Sequence, residues 1–171
     1  MDLRIQKTLE SIEQEFFNLR EKMPFNKIRI NDLCKNAKIN KSTFYRYYMD
    51  VFDLSDKLEN KIIDQVIGDF TTMNSLFSNP EEFITGLLSS IMQHNEKILI
   101  LFDGRMSVLI DKMEIKIKNH YLTSSYTPEE NIMMSFIIGG TTHVFLNTKY
   151  DDEIYTKTIA ILLRKILSVH F

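Results

Sequence analysis

Apolar residues recur at three- and four-residue spacing along almost the whole chain, which is the spacing of residues on one face of an α-helix. The alternation of apolar and polar residues that marks a half-buried strand is not found in the sequence. Prolines and glycines, which interrupt helices, number only three and five in 171 residues. The sequence therefore predicts an all-α fold with about nine helices.

Local signals delimit the N-terminal helices. The first helix is predicted over Leu3–Lys22, because the proline two residues later cannot continue it. Two short helices are predicted over Ile30–Asn36 and Lys41–Tyr48, and the corner between them has room only for a sharp turn. The last residue of that corner, Asn40, is the expected N-cap of the third helix, since its side chain can accept from a free backbone N–H.

Start and stop signals also divide the rest of the chain. Asp50 is predicted to cap a fourth helix that begins at Val51, and Asp103-Gly104 is predicted to interrupt the middle region. The sequences at 79–82 and 127–130 each combine a cap, a proline and two glutamates, which is typical of a helix start. Loops are expected at 124–128 and 150–151, and the last two helices over Pro128–Lys149 and Asp152–Val169.

The positive charge of the chain is concentrated in one segment, although the net charge is −2. Residues 22–50 contain seven Lys and Arg against two Asp and Glu. A nucleic-acid contact needs such a concentration, because phosphate binding supplies much of the affinity. Short basic stretches are also common on solvated surfaces, so the charge alone does not decide between these two interpretations.

The predicted third helix separates an apolar face from a polar one. Phe44 and Tyr48 are four residues apart and share the inward face. The residues that rotate to the outside or flank it include no carboxylate: Lys41, Ser42, Thr43, Tyr45 and Arg46. Cations, hydroxyls and phenols are suited to phosphate oxygens and to the edges of bases in a groove. This pattern predicts a helix that binds DNA.

The block Lys-Ser-Thr-Phe-Tyr-Arg-Tyr-Tyr at 41–48 is the most specific segment of the chain. It is accompanied by Phe16-Phe17, Pro24-Phe25, Asp32-Leu33-Cys34, the corner at 37–40, Asp50 and Asp53-Leu54. With these features, roughly residues 1–60 resemble the TetR/AcrR family of bacterial transcription regulators.

The resemblance implies a three-helix DNA-binding head with a helix-turn-helix at 1–50, and a helical bundle at 51–171 that binds a ligand and dimerises. It implies DNA contacts at Arg29, Lys41, Ser42, Thr43, Tyr45 and Tyr47, and the outward face of the third helix adds Arg46. The expected protein is a one-component repressor. As a homodimer it would bind a palindromic double-stranded operator, and a small hydrophobic effector of unknown identity would release it.

Three positions depart from the family pattern. Arg29 stands where a threonine or serine usually caps the second helix, and Lys38 stands where the corner often has glycine. Val51 stands where a lysine often contacts a phosphate at the start of the fourth helix. Because that lysine is missing, Arg29 or Lys57 is expected to supply the phosphate contact.

The last two predicted helices are apolar on more than one side, which predicts burial against a second protomer as well as against their own bundle. Gly139 and Gly140 each cost about 1 kcal/mol inside a helix, so a close approach or a kink is expected there. The residues predicted for the dimer interface are Ile137, Gly140, Val144, Ile154 and Ile161.

The effector pocket is predicted from adaptable or polar side chains on otherwise apolar faces. The candidates are Met92, Phe102, Met106, Met113, His120 and Phe136. Methionine fits a malleable cavity, but such a stripe is also the ordinary composition of a core, and the two interpretations stay open.

Other function classes have little support in the sequence. No phosphate loop, nucleophile elbow or metal-ligand spacing occurs, so neither catalysis nor a cofactor or bound metal is expected. An enzyme would instead present a cleft with perturbed titrating groups. An activator with the same head, controlled by a protein partner, would instead expose an apolar patch on the bundle.

The compartment is predicted from cysteine content and hydropathy. Cys34 is the only cysteine and is expected in the core, which fits a reducing cytoplasm. No run of about 18 uncharged apolar residues and no signal peptide is found, so no membrane association is expected.

Overall fold

The computed structural model describes residues 3–68, 80–121, 127–147 and 152–168. Within these residues the chain forms nine α-helices and one turn of 3-10 helix, Phe25–Lys27, and no strand. The helices are α1 (Leu3–Arg20), α2 (Ile30–Asn36), α3 (Lys41–Tyr45), α4 (Val51–Gly68), α5 (Pro80–Gln93), α6 (Asn95–Phe102), α7 (Met106–Tyr121), α8 (Pro128–Asn147) and α9 (Asp152–Leu167). The predicted all-α fold is confirmed.

The chain divides into two compact units. The first unit comprises the residues up to Ile62 together with Glu96–Asp103, and the second comprises Ile63–Asn95 and the chain from Gly104 onward. The head predicted for residues 1–50 lies within the first unit, which also includes the larger part of α4. The functional boundary at residue 50 stays a prediction.

The first unit is built on a core of aromatic and branched side chains. Ile12 and Phe16 of α1, Leu33 of α2 and Phe44 of α3 are completely buried. The ring of Phe16 makes an edge-to-face contact with Phe25 at 6.4 Å between centroids. The helical period of the apolar residues in α1 is therefore explained by its packing on the helices that follow.

The second unit packs its helices in two main pairs, α5 on α9 and α7 on α8. A polar cluster joins α7 to α8. Lys118 Nζ donates to Glu114 Oε1 at 2.5 Å, to Asn131 Oδ1 at 2.5 Å and to Ser135 Oγ at 2.8 Å. Ser135 Oγ also donates to Glu114 Oε1 at 2.6 Å. These charge-assisted bonds fix the alignment of the two helices.

Most predicted capping signals are confirmed. Asp50 Oδ1 accepts from the Asp53 N–H at 2.8 Å at the start of α4. At the start of α8, Thr127 Oγ1 accepts from the Glu130 N–H at 3.2 Å and Glu130 Oε2 accepts from the Thr127 N–H at 2.8 Å, which is a reciprocal capping box. Gly104, with φ of 69°, ends α6 at the predicted break. The predicted cap Asn79 and the predicted loops at 124–126 and 150–151 lie outside the described residues.

Three predicted boundaries are wrong. The first helix ends at Arg20 and not at Lys22, and the chain continues in turns to Met23. The third helix ends at Tyr45 and not at Tyr48, and residues 46–50 form an irregular turn before α4 begins. A turn at His94 separates α5 from α6 where no break was predicted.

Candidate nucleic-acid interface

The corner between α2 and α3 depends on a left-handed residue. Lys38 has φ of 55°, a conformation in which the Cβ of any residue other than glycine is crowded. The corner is held from both sides: the Ile39 N–H donates to Cys34 O at 3.0 Å, and Ser11 Oγ of α1 donates to Ala37 O at 3.2 Å. Lys38 thus adopts the left-handed backbone conformation that glycine adopts more easily, and its Cβ is strained there.

The orientation of α3 agrees with the sequence pattern. Phe44 is completely buried and Tyr48 is 5% exposed, and their ring centroids lie 5.5 Å apart. Tyr45, which follows Phe44, is 54% exposed. Of the other predicted contact residues, Arg29, Lys41, Ser42 and Arg46 are exposed, while Thr43 and Tyr47 are half-buried. Every residue predicted to contact DNA therefore has a surface that a ligand can reach.

Asn40 organises the N-terminus of α3. Its Oδ1 atom accepts from the Thr43 N–H at 2.8 Å, which confirms the predicted N-cap. The same Oδ1 atom lies 2.7 Å from Ser42 Oγ and 2.7 Å from Thr43 Oγ1. The cap therefore orders two of the hydroxyls predicted to contact DNA.

The start of α2 has no comparable cap. Arg29 occupies the N-cap position with extended backbone, and its side chain makes no capping hydrogen bond. An arginine has donors but no acceptor, so it cannot satisfy the free N–H groups of a helix start. Its guanidinium is left on the exposed surface next to α3.

The turn from α3 to α4 is held by a carboxylate and an ammonium. Asp53 Oδ2 accepts from the Met49 N–H at 2.9 Å and from Lys57 Nζ at 2.9 Å. These hydrogen bonds, first the one from Lys57, hold the pKa of the Asp53 carboxyl below its usual range. Lys57 Nζ also donates to Tyr47 O at 2.9 Å and lies 5.2 Å from the centroid of the Tyr48 ring. Lys57 thus stabilises the turn from α3 to α4, and the phosphate contact expected from Arg29 or Lys57 stays a prediction.

Burial keeps two titratable groups of the head in their neutral forms. Burial, with the charges of Glu13 and Asp53, raises the pKa of Tyr48 to about 12. Burial also raises the pKa of the Cys34 thiol. A buried thiol with a raised pKa is a poor nucleophile, so Cys34 serves as a small core residue.

A shallow depression of about 400 Å³ gathers residues from the starts of α2, α3 and α4. Three of the residues predicted to contact DNA line it, namely Arg29, Lys41 and Tyr45. The other lining residues are Ile28, Ile30, Asn31, Asp50, Val51 and Phe52. Phe52 is 68% exposed, and its ring contacts Phe25 at 4.9 Å between centroids. Sequence reasoning missed Phe52, because an apolar residue in an amphipathic helix start is ordinarily assigned to the core.

One solved structure has the same arrangement over nearly its whole length. It is the crystal structure of a TetR transcriptional regulator from Streptococcus agalactiae 2603V. The likeness has a TM-score of 0.65 and covers 95% of this chain and 96% of that one, at 20% sequence identity. The chain has the TetR fold. No family model matches the sequence, and no curated protein matches it.

Within the TetR fold, the residues predicted for the effector pocket lie in different surroundings. Phe102 is completely buried in the first unit and Met113 is buried in the second. Met92 and Phe136 are 48% and 68% exposed, and Met106 is half-buried. The side chain of His120 lies outside the described residues. Met92 and Phe136 line separate grooves on the second unit, so the structure does not bring these two together.

The residues predicted for the dimer interface lie on α8 and α9. Ile154 and Ile161 are 61% and 46% exposed, Gly140 is exposed and Val144 is half-buried. Ile137 is 2% exposed and lies in the core of its own protomer, at the base of a groove between α8 and α9. The groove has a volume of about 180 Å³ and is lined by Phe136, Ile137, Gly140, Thr141, Val144, Ile159, Leu162, Leu163 and Ile166. A Cβ at Gly140 would meet nothing within 4 Å in the protomer, so packing within one chain does not explain this glycine.

Within the described residues, no helix is both long enough and apolar enough to cross a membrane.

Proposed function

We propose that this chain is a DNA-binding transcription regulator that inserts α3 into the major groove. One observation carries the proposal: α3 begins immediately after a sharp corner, buries Phe44, and leaves Lys41, Ser42 and Arg46 exposed. A helix-turn-helix of this kind uses the N-terminal residues of its second helix on base edges. The exposed face carries cations and hydroxyls, which suit phosphates and base edges.

Arg29 and Tyr45 extend this surface beyond α3. Both line the depression at the starts of α2 and α4, together with Lys41. A guanidinium, a phenol and an ammonium around one concave surface can each donate to a phosphate oxygen. We propose that the DNA backbone passes over this depression, with Tyr47 and Thr43 at its margin.

We propose that two copies of the chain associate through α8 and α9. The exposed apolar side chains Ile132 and Phe136 of α8 and Leu162 of α9 line the apolar surface between these helices. Such a surface is costly in water and is typical of the interface of a symmetric dimer. Two heads related by a two-fold axis would match a palindromic operator with half-sites about one helical turn apart.

Regulation by a small effector is the further part of this proposal. A ligand in the second unit that binds one arrangement of the dimer better than another would shift the spacing of the heads. The expected outcome is release of the operator, as in a repressor. The occupant would be a small apolar molecule, because the groove between α8 and α9 is lined almost entirely by apolar side chains.

A second candidate is the same DNA-binding head with a bundle controlled by a protein partner. It is favoured by the close packing between α5, α8 and α9, where the described residues leave a cavity of only about 10 Å³. A drug-sized ligand needs roughly 300 Å³ or more. The residues around Met92, 48% exposed, offer instead an open groove on the surface of α5.

The test of the DNA-binding proposal is a fluorescence-anisotropy titration with duplexes tiled across the DNA that flanks the coding region. Replacing Lys41→Ala or Tyr45→Phe is expected to weaken binding about tenfold, since each change removes one charged or phosphate-directed hydrogen bond. Neither change should lower the unfolding midpoint, because both side chains are exposed. Lys165→Ala, an exposed lysine of α9, is the matched control and should bind as the wild type does. Equal affinity of all four proteins would contradict the assignment of these contacts.

A further inference from the structure

The Oδ1 atom of Asn40 determines where the protons of two neighbouring hydroxyls lie. This atom accepts from the Thr43 backbone N–H at 2.8 Å, and an N–H can only donate. The atom is therefore the amide oxygen, not the amide nitrogen, and an amide oxygen can only accept. Ser42 Oγ and Thr43 Oγ1, each 2.7 Å from the same oxygen, must then be donors in these two bonds.

The hydroxyl of Ser42 consequently presents lone pairs, not its proton, to the outside. A serine hydroxyl has one proton and two acceptor sites, and the proton of Ser42 points to Asn40. The Ser42 side chain is exposed, whereas Thr43 is half-buried beside it. Donation to Asn40 also polarises the hydroxyl and makes its oxygen a better acceptor.

This polarity favours the hydrogen-bond donors of a DNA duplex as partners of the Ser42 hydroxyl. Phosphate oxygens only accept, so a phosphate contact would require Ser42 to give up its bond to Asn40. In the major groove, the N7 and O6 atoms of guanine and the O4 atom of thymine are also acceptors. The only donors there are the exocyclic amino groups of adenine and cytosine.

We propose that Ser42 is a specificity-determining residue that accepts a hydrogen bond from the exocyclic amino group of an adenine or cytosine. The inference rests on the proposed DNA-binding function and specifies which partner donates the hydrogen bond in one of its contacts. Each base pair has one amino group in the major groove, on the strand that carries adenine or cytosine. Ser42 therefore discriminates adenine and cytosine from guanine and thymine at one position of the contacted strand in each half-site.

The experiment is a selection of binding sequences from a random-sequence duplex library by the full-length protein and by variants. The wild type is expected to enrich a motif with adenine or cytosine at one position. Ser42→Ala is expected to lose the preference at that position. The loss of one hydrogen bond corresponds to about a fivefold change in preference at that position. The conservative variant Ser42→Thr, which keeps a hydroxyl, should retain the preference.

Lys41→Ala provides the contrast on the same helix turn. Removal of a phosphate-directed ammonium should weaken binding to all selected sequences evenly. It should also reduce the slope of log affinity against log salt concentration by about 1, the value for one phosphate contact. Ser42→Ala should change neither the salt dependence nor the unfolding midpoint, because Asn40 keeps its bond to the Thr43 N–H.

Three results would overturn the inference while leaving DNA binding intact. In the first, the position that loses discrimination in Ser42→Ala holds guanine or thymine in the wild-type motif. In the second, Ser42→Ala weakens binding to every sequence evenly, as a lost phosphate contact would. In the third, Ser42→Ala leaves both the affinity and the selected motif unchanged. If the wild type enriches no sequence and binds no duplex, the proposed function itself is wrong and the inference with it.

Discussion

The outward surfaces of α3 in the first unit and of α8 and α9 in the second differ in chemistry. On α3 the side chains left outside are Lys41, Ser42, Tyr45 and Arg46, while Phe44 is buried. On α8 and α9, large apolar side chains such as Phe136 and Leu162 remain exposed. A polar, cationic surface suits a charged polymer, whereas an apolar surface is stable only when another apolar surface covers it. The difference supports the proposal that the first unit binds DNA and the second a protein surface.

The largest expected effect is on the free energy of unfolding, when a buried aromatic residue of the head is compared with an exposed one of the bundle. Phe44→Ala should lower the free energy of unfolding by roughly 3–5 kcal/mol, because a completely buried ring is lost. Phe136→Ala removes the same side chain from a site that is 68% exposed, and should cost less than about 1 kcal/mol within the protomer. Urea unfolding of monomeric protein at low concentration measures both. Similar losses would mean that the contrast between the two surfaces is wrong.

A charge on the α8–α9 surface should break the dimer. Leu162→Glu places a carboxylate among the apolar side chains that line the groove and is expected to cost about 3 kcal/mol of association free energy. Sedimentation should then give particles of 20.2 kDa, against twice that mass for the wild type. Ile115→Glu, at a site of α7 that is 58% exposed and does not line the groove, is the control and should sediment as the wild type does. A wild type that sediments as a single chain at micromolar concentration would refute the proposed interface.

The strained corner of the head offers a gain in stability. Lys38→Gly removes the Cβ that is crowded at φ of 55° and should raise the free energy of unfolding by about 1 kcal/mol. Lys38→Ala removes the same charge but keeps the Cβ, so it should not gain stability. Thermal unfolding distinguishes them. Equal midpoints for the two variants would contradict backbone strain at this position.

The smallest expected effect concerns the polar cluster between α7 and α8. Hydrogen bonds from Lys118 and Ser135 hold the pKa of Glu114 below its ordinary value of 4.5. A lowered pKa in the folded state stabilises the fold above pH 4.5, and this contribution is lost as the pH falls through the lowered folded value. The group is partly solvated, so the effect should stay below about 1 kcal/mol.

Glu114→Gln tests this cluster directly. The variant should lose this contribution to the pH dependence of stability below pH 4.5, as measured by the unfolding midpoint in a pH series. Asp111→Asn, an exposed carboxyl of the same helix, is the matched control and should keep the wild-type dependence. If both variants follow the wild type at every pH, Glu114 makes no specific contribution.

The head was more predictable from sequence than the bundle, because its signals are local. The caps at Asn40 and Asp50 act within three residues of their own position, and the structure has both. The end of α3 was not predictable in this way. The chain after Tyr45 is instead held by the next helix, where the Asp53 carboxylate accepts from the Met49 N–H, and such a contact is not read from the residues of α3.

The surroundings of the bundle residues could not be predicted in the same way. Helical period separates one face from another, but it does not say whether a face meets a core, a cavity or a second chain. Phe102 and Phe136 looked alike in the sequence, yet the first is completely buried and the second is 68% exposed. In α8 apolar residues occur on all sides, so helical periodicity did not predict which of them are buried.

The most direct test of the central claim is a dimethyl sulfate footprint of the wild-type protein on a duplex that it binds. The reagent reports guanine N7 in the major groove and adenine N3 in the minor groove, so it identifies the groove that α3 occupies. Insertion of the α3 surface predicts protection of guanine N7 at two places separated by about one helical turn. Protection confined to adenine N3, or binding that leaves every guanine N7 reactive, would contradict it.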